Sequence, residues 1–212
     1  MSLSRLQKYI NLNFLNYILI AFFLIYSIYI VSYHYDGHHI GLVYSNALDL
    51  IKGKHPYKEI FIQYGFLTTL IHASILILFD YKVIFISIFT VIFYSFSILL
   101  ISLSLKNLLN HYYALFASVI ILFNHPIPWL PWSNYIAFFF LSLGVFICTK
   151  KYKNYYFIGL FFGLTVLSRQ EFFIPIILSA LFFFAINILK NKKFNIKNNL
   201  NLILGFFTPL VI

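Results

Sequence analysis

The feature that most constrains this chain is a succession of apolar runs, at roughly 14–33, 64–79, 83–105, 112–124, 135–149, 155–168, 172–189 and 200–212, parted by short polar breaks. As a helix, about 20 apolar residues match the thickness of a bilayer core, and several of these runs reach or approach that length. With 62% apolar and 9% charged residues, the 212-residue chain has too little polar surface to cover a water-facing globule. The pattern predicts an all-α polytopic membrane protein, residues 1–212 forming a single transmembrane module. Phe14 to Tyr33 is long for a signal core and offers no small-x-small cleavage site, so it is expected to remain as the first span.

Charge then sets the topology. The formal net charge of +10 sits in short lysine clusters between apolar runs, the pattern of cytoplasmic membrane loops; no basic patch suits a nucleic-acid partner. If every run crossed, with the N-terminus inside, 4 of the 15 cations would lie inside and 11 outside, against the positive-inside rule. The run at 64–79 is the weakest span, short and interrupted by Gly65 and His72. Leaving it uncrossed, as a re-entrant or surface helix, brings 10 cations inside and leaves 5 outside. About seven transmembrane helices follow, with Lys106, Lys150 to Lys153 and Lys190 to Lys197 inside. All five acids (Asp36, Asp49, Glu59, Asp80 and Glu171) then fall outside with Arg169.

The first outer loop, 33–66, carries the densest polar chemistry, and four of the five acids lie in it or just beyond it. Within it, Ile40, Val43, Tyr44, Ala47, Leu48 and Ile51 share one helical face. That spacing predicts an amphipathic helix over 40–52, lying in the membrane interface, with Gly53 as its stop. Lys54-His55-Pro56-Tyr57 reads as a turn. A second irregular stretch, Asn124 to Asn134, holds three of the six prolines and both tryptophans. It suits either an interfacial aromatic belt or irregular backbone around a cavity. Gly159 and Gly163 have the spacing that lets helices approach closely. Their segment leads into Arg169 and Glu171, which read as an ion pair at a helix end or as cavity-lining charges. Cys148 reads as a small buried hydrophobe. The last run stops at Ile212, which suggests a chain truncated at its C-terminus or one module of a longer protein.

One span, an acid just after it, an interfacial helix, Gly53-x-x-Pro56-Tyr57, Gln63-Tyr64-Gly65 and later Gly159-Leu160-x-x-Gly163-Leu164-x-x-Leu167-x-Arg169 follow in order. This order resembles the N-terminal membrane module of GT-C type polyprenol-phosphate-dependent glycosyltransferases, the group of protein O-mannosyltransferases and lipid A aminoarabinose transferases. The resemblance implies a hexosyl- or pentosyltransferase of the bacterial inner membrane. It would move a sugar from a polyprenyl-phosphate donor to a membrane-associated lipid, glycan or protein acceptor on the outer face. In that family an acid of the first outer loop, often one of a pair, serves the active site. Asp36 holds the position, while Gly37 stands where the second acid of a pair would be. The Tyr-Gly-Pro-Leu pattern reads Tyr64-Gly65-Phe66-Leu67 here, without its proline.

Such a transfer needs a base for the acceptor hydroxyl and positive charge for the departing phosphate. Asp36 is the candidate base; Arg169, with Lys58 as a second, is the candidate phosphate ligand, because a guanidinium can make bidentate contact. Gln63 and Tyr64 are candidates to position the sugar or lipid head, and His38 and Glu171 to contact substrate. Adjacent histidines on an extended strand diverge, so His38 and His39 are not expected to share one ion; a divalent metal at Asp36 and His38 is the competing use of this stretch and is not the favoured one. No cofactor is expected: the sequence has no Gly-rich phosphate loop, paired-cysteine motif or nucleophile triad. The alternatives are a surface-polysaccharide flippase or polymerase, a transporter, or an inactive fragment of such a transferase. Transporters usually carry inverted repeats, and none is found.

Overall fold

The computed structural model describes residues 3–33, 36–124, 130–189 and 196–211, and among these the only strand-like feature is an isolated bridge between Pro56 and Ile60. The helices are α1 (Leu3–Val31), α2 (Gly37–Ile51), α3 (Phe66–Leu78), α4 (Ile84–Leu108), α5 (His111–Asn124), α6 (Ser133–Cys148), α7 (Tyr155–Ser168), α8 (Phe173–Leu189) and α9 (Ile196–Phe207). They follow the apolar runs closely, although α1 starts well before its apolar stretch. By length and composition, Leu12–Val31 and Ile84–Leu108 are apolar enough to cross a bilayer.

Polar side chains set the registers. Asn16 donates to Ser102 Oγ at 2.5 Å, and the Phe23 ring meets that of Tyr94 at 5.8 Å, so α1 and α4 run antiparallel. Asn107 donates to Thr149 Oγ1 at 3.2 Å, which brings the C-termini of α4 and α6 together. His111, at the start of α5, meets Asn13 of α1 at 2.5 Å. Gly159 packs against the backbone at Leu202, Gly163 against Phe206, and Gly205 against Tyr156. A Cβ at any of these three would overlap a carbonyl oxygen, so the small residues set how closely parallel α7 and α9 approach. Lys106, Lys150, Lys151, Lys153 and Lys197 therefore gather at the end of the bundle where α1 begins. The five acids lie toward the other end.

Hydroxyls are buried beside an apolar core, and many large apolar side chains are exposed. Ser97, Ser102, Ser142, Thr165 and Ser168 are buried, whereas Phe14, Phe22, Ile25 and Tyr29 of α1 and Ile174, Leu178 and Phe182 of α8 are exposed. Hydroxyls such as those of Ser97, Ser104 and Thr165 bond back to carbonyls of their own helices, so their burial leaves no loose polar group.

Two expectations for the first outer loop change. The helix placed at 40–52 begins at Gly37, because the Asp36 carboxylate caps it. His38 and His39 thus sit on a first helical turn, not on the extended strand assumed when a shared metal was disfavoured. The apolar face of α2 is also covered by protein: Ala47 packs with Ala73, Ile75 and Leu76 of α3 and Ile86 of α4. Gly53 ends the helix as its spacing predicts, with φ of +82°.

Helix α3 covers only part of the bundle. It begins beside the C-terminus of α7, where Gly65 N–H donates to Ser168 O at 3.1 Å and Thr68 Oγ1 donates to the same oxygen at 3.0 Å. It ends where the Phe79 ring stacks on Phe85, at the start of α4, 4.3 Å away. The candidate site lies at the start of α6 and the end of α7, with α2 and α3 lining one part of it.

Candidate functional site

The seam between α3 and α7 builds the centre of the site. A carbonyl at a helix C-terminus lacks an intrahelical partner, and that of Ser168 is satisfied twice, by Gly65 and Thr68. Gly65 presses against the Leu167 carbonyl so closely that a Cβ would overlap it. This contact sets Tyr64 against Arg169, whose guanidinium carbon lies 4.9 Å from the ring centroid. Arg169 leaves the helix in extended conformation and pairs with Glu171, whose Oε2 accepts from Nε at 2.8 Å and from a terminal nitrogen at 2.6 Å. The arginine is largely buried and the glutamate mostly exposed.

Two cavities meet at the Arg169–Tyr64 contact, Arg169 lining the first and Tyr64 the second. The first, about 360 Å³, is lined by Arg169, Glu171, Tyr94, Asn134, Tyr135 and the α8 end of the recess. The second, about 180 Å³, lies under the start of α2 and is lined by His38, His39, Gln63, Tyr64, His72, Trp132 and Ser133 among others. The Trp132 ring meets that of His39 edge-on at 5.8 Å and stacks on Tyr135 at 6.3 Å, so it links the linings of the two cavities.

Asp36 stands behind the second cavity and lines neither. Its Oδ1 accepts from His38 N–H at 2.9 Å and His39 N–H at 3.3 Å, and its Oδ2 pairs with His39 Nδ1 at 2.6 Å. The bond from the His39 ring holds the Asp36 carboxyl below the usual carboxylate range; partial burial works the other way, and the two backbone N–H groups reinforce the lowering. With Nδ1 directed at the carboxylate, Nε2 of His39 is the nitrogen left to accept a proton.

The residues singled out from sequence thus divide. Tyr64, Arg169 and Glu171 come together; Gln63, Tyr64 and His38 share the second cavity; Asp36 reaches it only through His39. Lys58 is exposed on the 55–60 turn and lines neither cavity, although its neighbour Tyr57 meets Gln170 at 3.4 Å. His72, Trp132 and Ser133 are not singled out by the sequence as site residues, and His39 only as a partner of His38 in the polar stretch. His72 carried a signal, a lone imidazole inside an apolar run; Ser133 carried none. Most of the irregular stretch before α6, at 125–129, lies outside the described residues, as do Lys190, Lys192 and Lys193. Among the described residues, no three His, Cys, Asp or Glu side chains are placed to hold a metal ion.

Fold and site together define an all-helical bundle with two small recesses at one end, one with a fixed charge and one without. No family model matches the chain, nor does any curated protein or solved structure.

Proposed function

We propose that the chain is a polytopic membrane glycosyltransferase, or the membrane module of one, that moves a sugar from a polyprenyl-phosphate donor to a membrane-associated acceptor. The observation that carries this reading is two recesses joined by the Arg169–Tyr64 contact, one lined by a largely buried guanidinium and the other without a fixed charge, beside an Asp–His pair. A lipid-linked sugar phosphate has the same division: an anion, a polyol and an apolar tail.

Several features support the membrane setting. Large apolar side chains face outward and small hydroxyls inward, as in helices packed within lipid. The lysine clusters share one end of the bundle and the acids lie toward the other, in line with the positive-inside rule for a cytoplasmic N-terminus. Helix α3 turns back along the first half of α4, which suits a segment that enters without crossing. The remaining helices then supply about seven spans in the inner membrane.

In the mechanism, Arg169 binds the phosphate of the donor. Glu171 uses two of its five N–H donors, and three remain for the anion. His39 takes the proton of the acceptor hydroxyl at Nε2, while Asp36 orients the ring and stabilises the imidazolium that forms. The acceptor oxygen attacks the anomeric carbon; the bond from that carbon to the phosphate oxygen breaks, and the phosphate leaves with its electron pair against Arg169. His38 and Gln63 contact the sugar.

The test is transfer of a radiolabelled sugar from a polyprenyl-phosphate donor by the full chain in lipid nanodiscs. Wild type is expected to form glycosidic product, and Asp36→Asn and His39→Ala to insert normally and form almost none. Full activity in both variants removes the proposed base, and flipping of the labelled lipid without product removes the transferase.

A further inference from the structure

The second cavity holds more than the transfer chemistry requires. His72 and Ser133 both line it, each is 1% exposed, and neither His72 Nε2 nor Ser133 Oγ has a hydrogen-bond partner among the described residues. Leaving a buried polar group unpaired costs about 1–3 kcal/mol, so two in one small recess call for an occupant. No Lys, Arg, Asp or Glu lies among the residues lining it. Its polar atoms come from imidazole, hydroxyl and amide groups, which both donate and accept but offer no fixed charge to an ion. Tyr64 and Trp132 give it aromatic walls, and a volume of about 180 Å³ is several times that of one water, at about 30 Å³.

We propose that this recess, floored by His72 and Ser133, is a subsite for an uncharged, hydroxyl-bearing ring: a neutral monosaccharide unit. The ring's hydroxyls supply the missing partners of His72 Nε2 and Ser133 Oγ, and its C–H face lies against the aromatic walls. An amino sugar would bring a cation to a recess with no carboxylate on its lining, since Asp36 is turned to its own helix and to His39. A uronic acid would bring an anion with no arginine or lysine to meet it. Either would lose hydration without gaining a counter-charge. The assignment of the ring as a sugar rests on the transferase reading; its neutrality rests on the cavity alone.

The experiment is ligand-observed saturation-transfer NMR on the full chain in nanodiscs free of glycoside detergent. The probes are the methyl glycosides of glucose, mannose and galactose, with glucosamine and glucuronate alongside. Saturation is expected to reach the ring protons of at least one neutral glycoside, and to be weaker about tenfold for both charged sugars, as for a polar group buried without its partner. Ser133→Leu, which fills the floor, is expected to abolish the neutral signal. Where Ser133→Leu does not fold, Ser133→Ala is expected to weaken binding about three- to tenfold, the loss of one neutral hydrogen bond.

Equal or stronger signals from a charged sugar overturn the proposal. So does the absence of signal from every neutral glycoside, which leaves a cavity filled with water only. A neutral signal indifferent to both Ser133 variants overturns it as well. Transfer is not read in this experiment, so the two readings fail separately. Neutral binding in a protein without transferase activity keeps the subsite and removes the enzyme; transfer without neutral binding does the reverse.

Discussion

The two recesses differ in the charge that lines them: the larger has Arg169 and Glu171, and the smaller has no Lys, Arg, Asp or Glu. In the larger one, the Arg169 guanidinium already has partners: Glu171 through two nitrogens, and the face of Tyr64. In the smaller one, two neutral polar atoms, His72 Nε2 and Ser133 Oγ, are unpaired among the described residues, against one, Asn134 Oδ1, in the larger. The contrast follows from magnitude. An unpaired buried charge is too costly to keep, so the chain supplies a resident counter-ion. An unpaired hydroxyl or imidazole nitrogen costs little enough to be carried until a ligand arrives. An anion at Arg169 must therefore compete with a carboxylate, whereas a polyol beside His72 meets only water.

The largest expected effect comes from breaking the seam that both recesses depend on. In Gly65→Val the new side chain meets the Leu167 and Ser168 backbone, which cannot rotate away as a flexible side chain would. Overpacking of this kind costs about 1–3 kcal/mol, occasionally more, and here it also parts Tyr64 from Arg169. Thermal unfolding in nanodiscs should show a clear loss of stability, together with loss of activity. Gly41→Ala is the control, because nothing lies within 4 Å of a Cβ there. As a helical glycine made alanine, it should be neutral or slightly stabilising, by up to about 1 kcal/mol. Equal damage from the two would show that the seam is not what holds the site.

Next in size is the charge itself. Arg169→Ala should lower transfer by about 10²- to 10³-fold, as for removal of one donor to a developing anion. Glu171→Gln tests the competition and should have the opposite sign, tightening the donor several-fold in a titration of polyprenyl phosphate. If Glu171→Gln weakens binding as Arg169→Ala does, the carboxylate helps to hold the substrate and the contrast between the recesses is lost.

How far these features were legible in the sequence follows from their range. Apolar runs fix helices locally, so α3 to α7 fall within a few residues of their predicted bounds. Asp36 before Gly37-His38-His39 is also a local signal, an Asx N-cap ahead of an apolar-periodic stretch. It was missed in favour of a start at Ile40, and with it the turning of His39 toward the second cavity. The seam was beyond reach: Thr68 and Ser168 are 100 residues apart, and no periodicity announces that one carbonyl accepts from both Thr68 and Gly65. Arg169 and Tyr64 were each singled out for their chemistry, but their contact exists only through that docking. Ser133 is the plainest case, since a serine opening a helix looks like a cap until its hydroxyl proves unpartnered.

A smaller effect concerns acid. The Asp36 carboxyl is lowered in the folded chain, so the order it brings to α2 is present above the ordinary aspartate range. That order is lost as pH falls through the depressed folded value. Trp132 lies against His39, and its fluorescence should therefore include a change as pH falls through the depressed Asp36 value. Asp36→Asn keeps a good N-cap but no titrating carboxyl, and should remove that change while leaving α2 formed. A transition of unchanged midpoint in the Asn variant would assign it to another group.

The smallest effect separates paired from unpaired hydroxyls, and it is where the contrast between the recesses is most exposed to test. Ser118 Oγ donates to the Ala114 carbonyl at 3.0 Å, whereas Ser133 Oγ has no partner among the described residues, although both serines are 1% exposed. Without ligand, Ser118→Ala gives up one hydrogen bond and should cost about 0.5–1.5 kcal/mol, while Ser133→Ala removes an unsatisfied group and should be neutral or stabilising by about 1 kcal/mol. Added neutral glycoside should reverse the order at Ser133 alone, because wild type then gains a partner that the alanine variant cannot. Matched unfolding curves with and without sugar give both numbers. If Ser133→Ala is as costly as Ser118→Ala in the absence of sugar, the hydroxyl already has a partner, and the second recess is a settled part of the fold with no vacancy to fill.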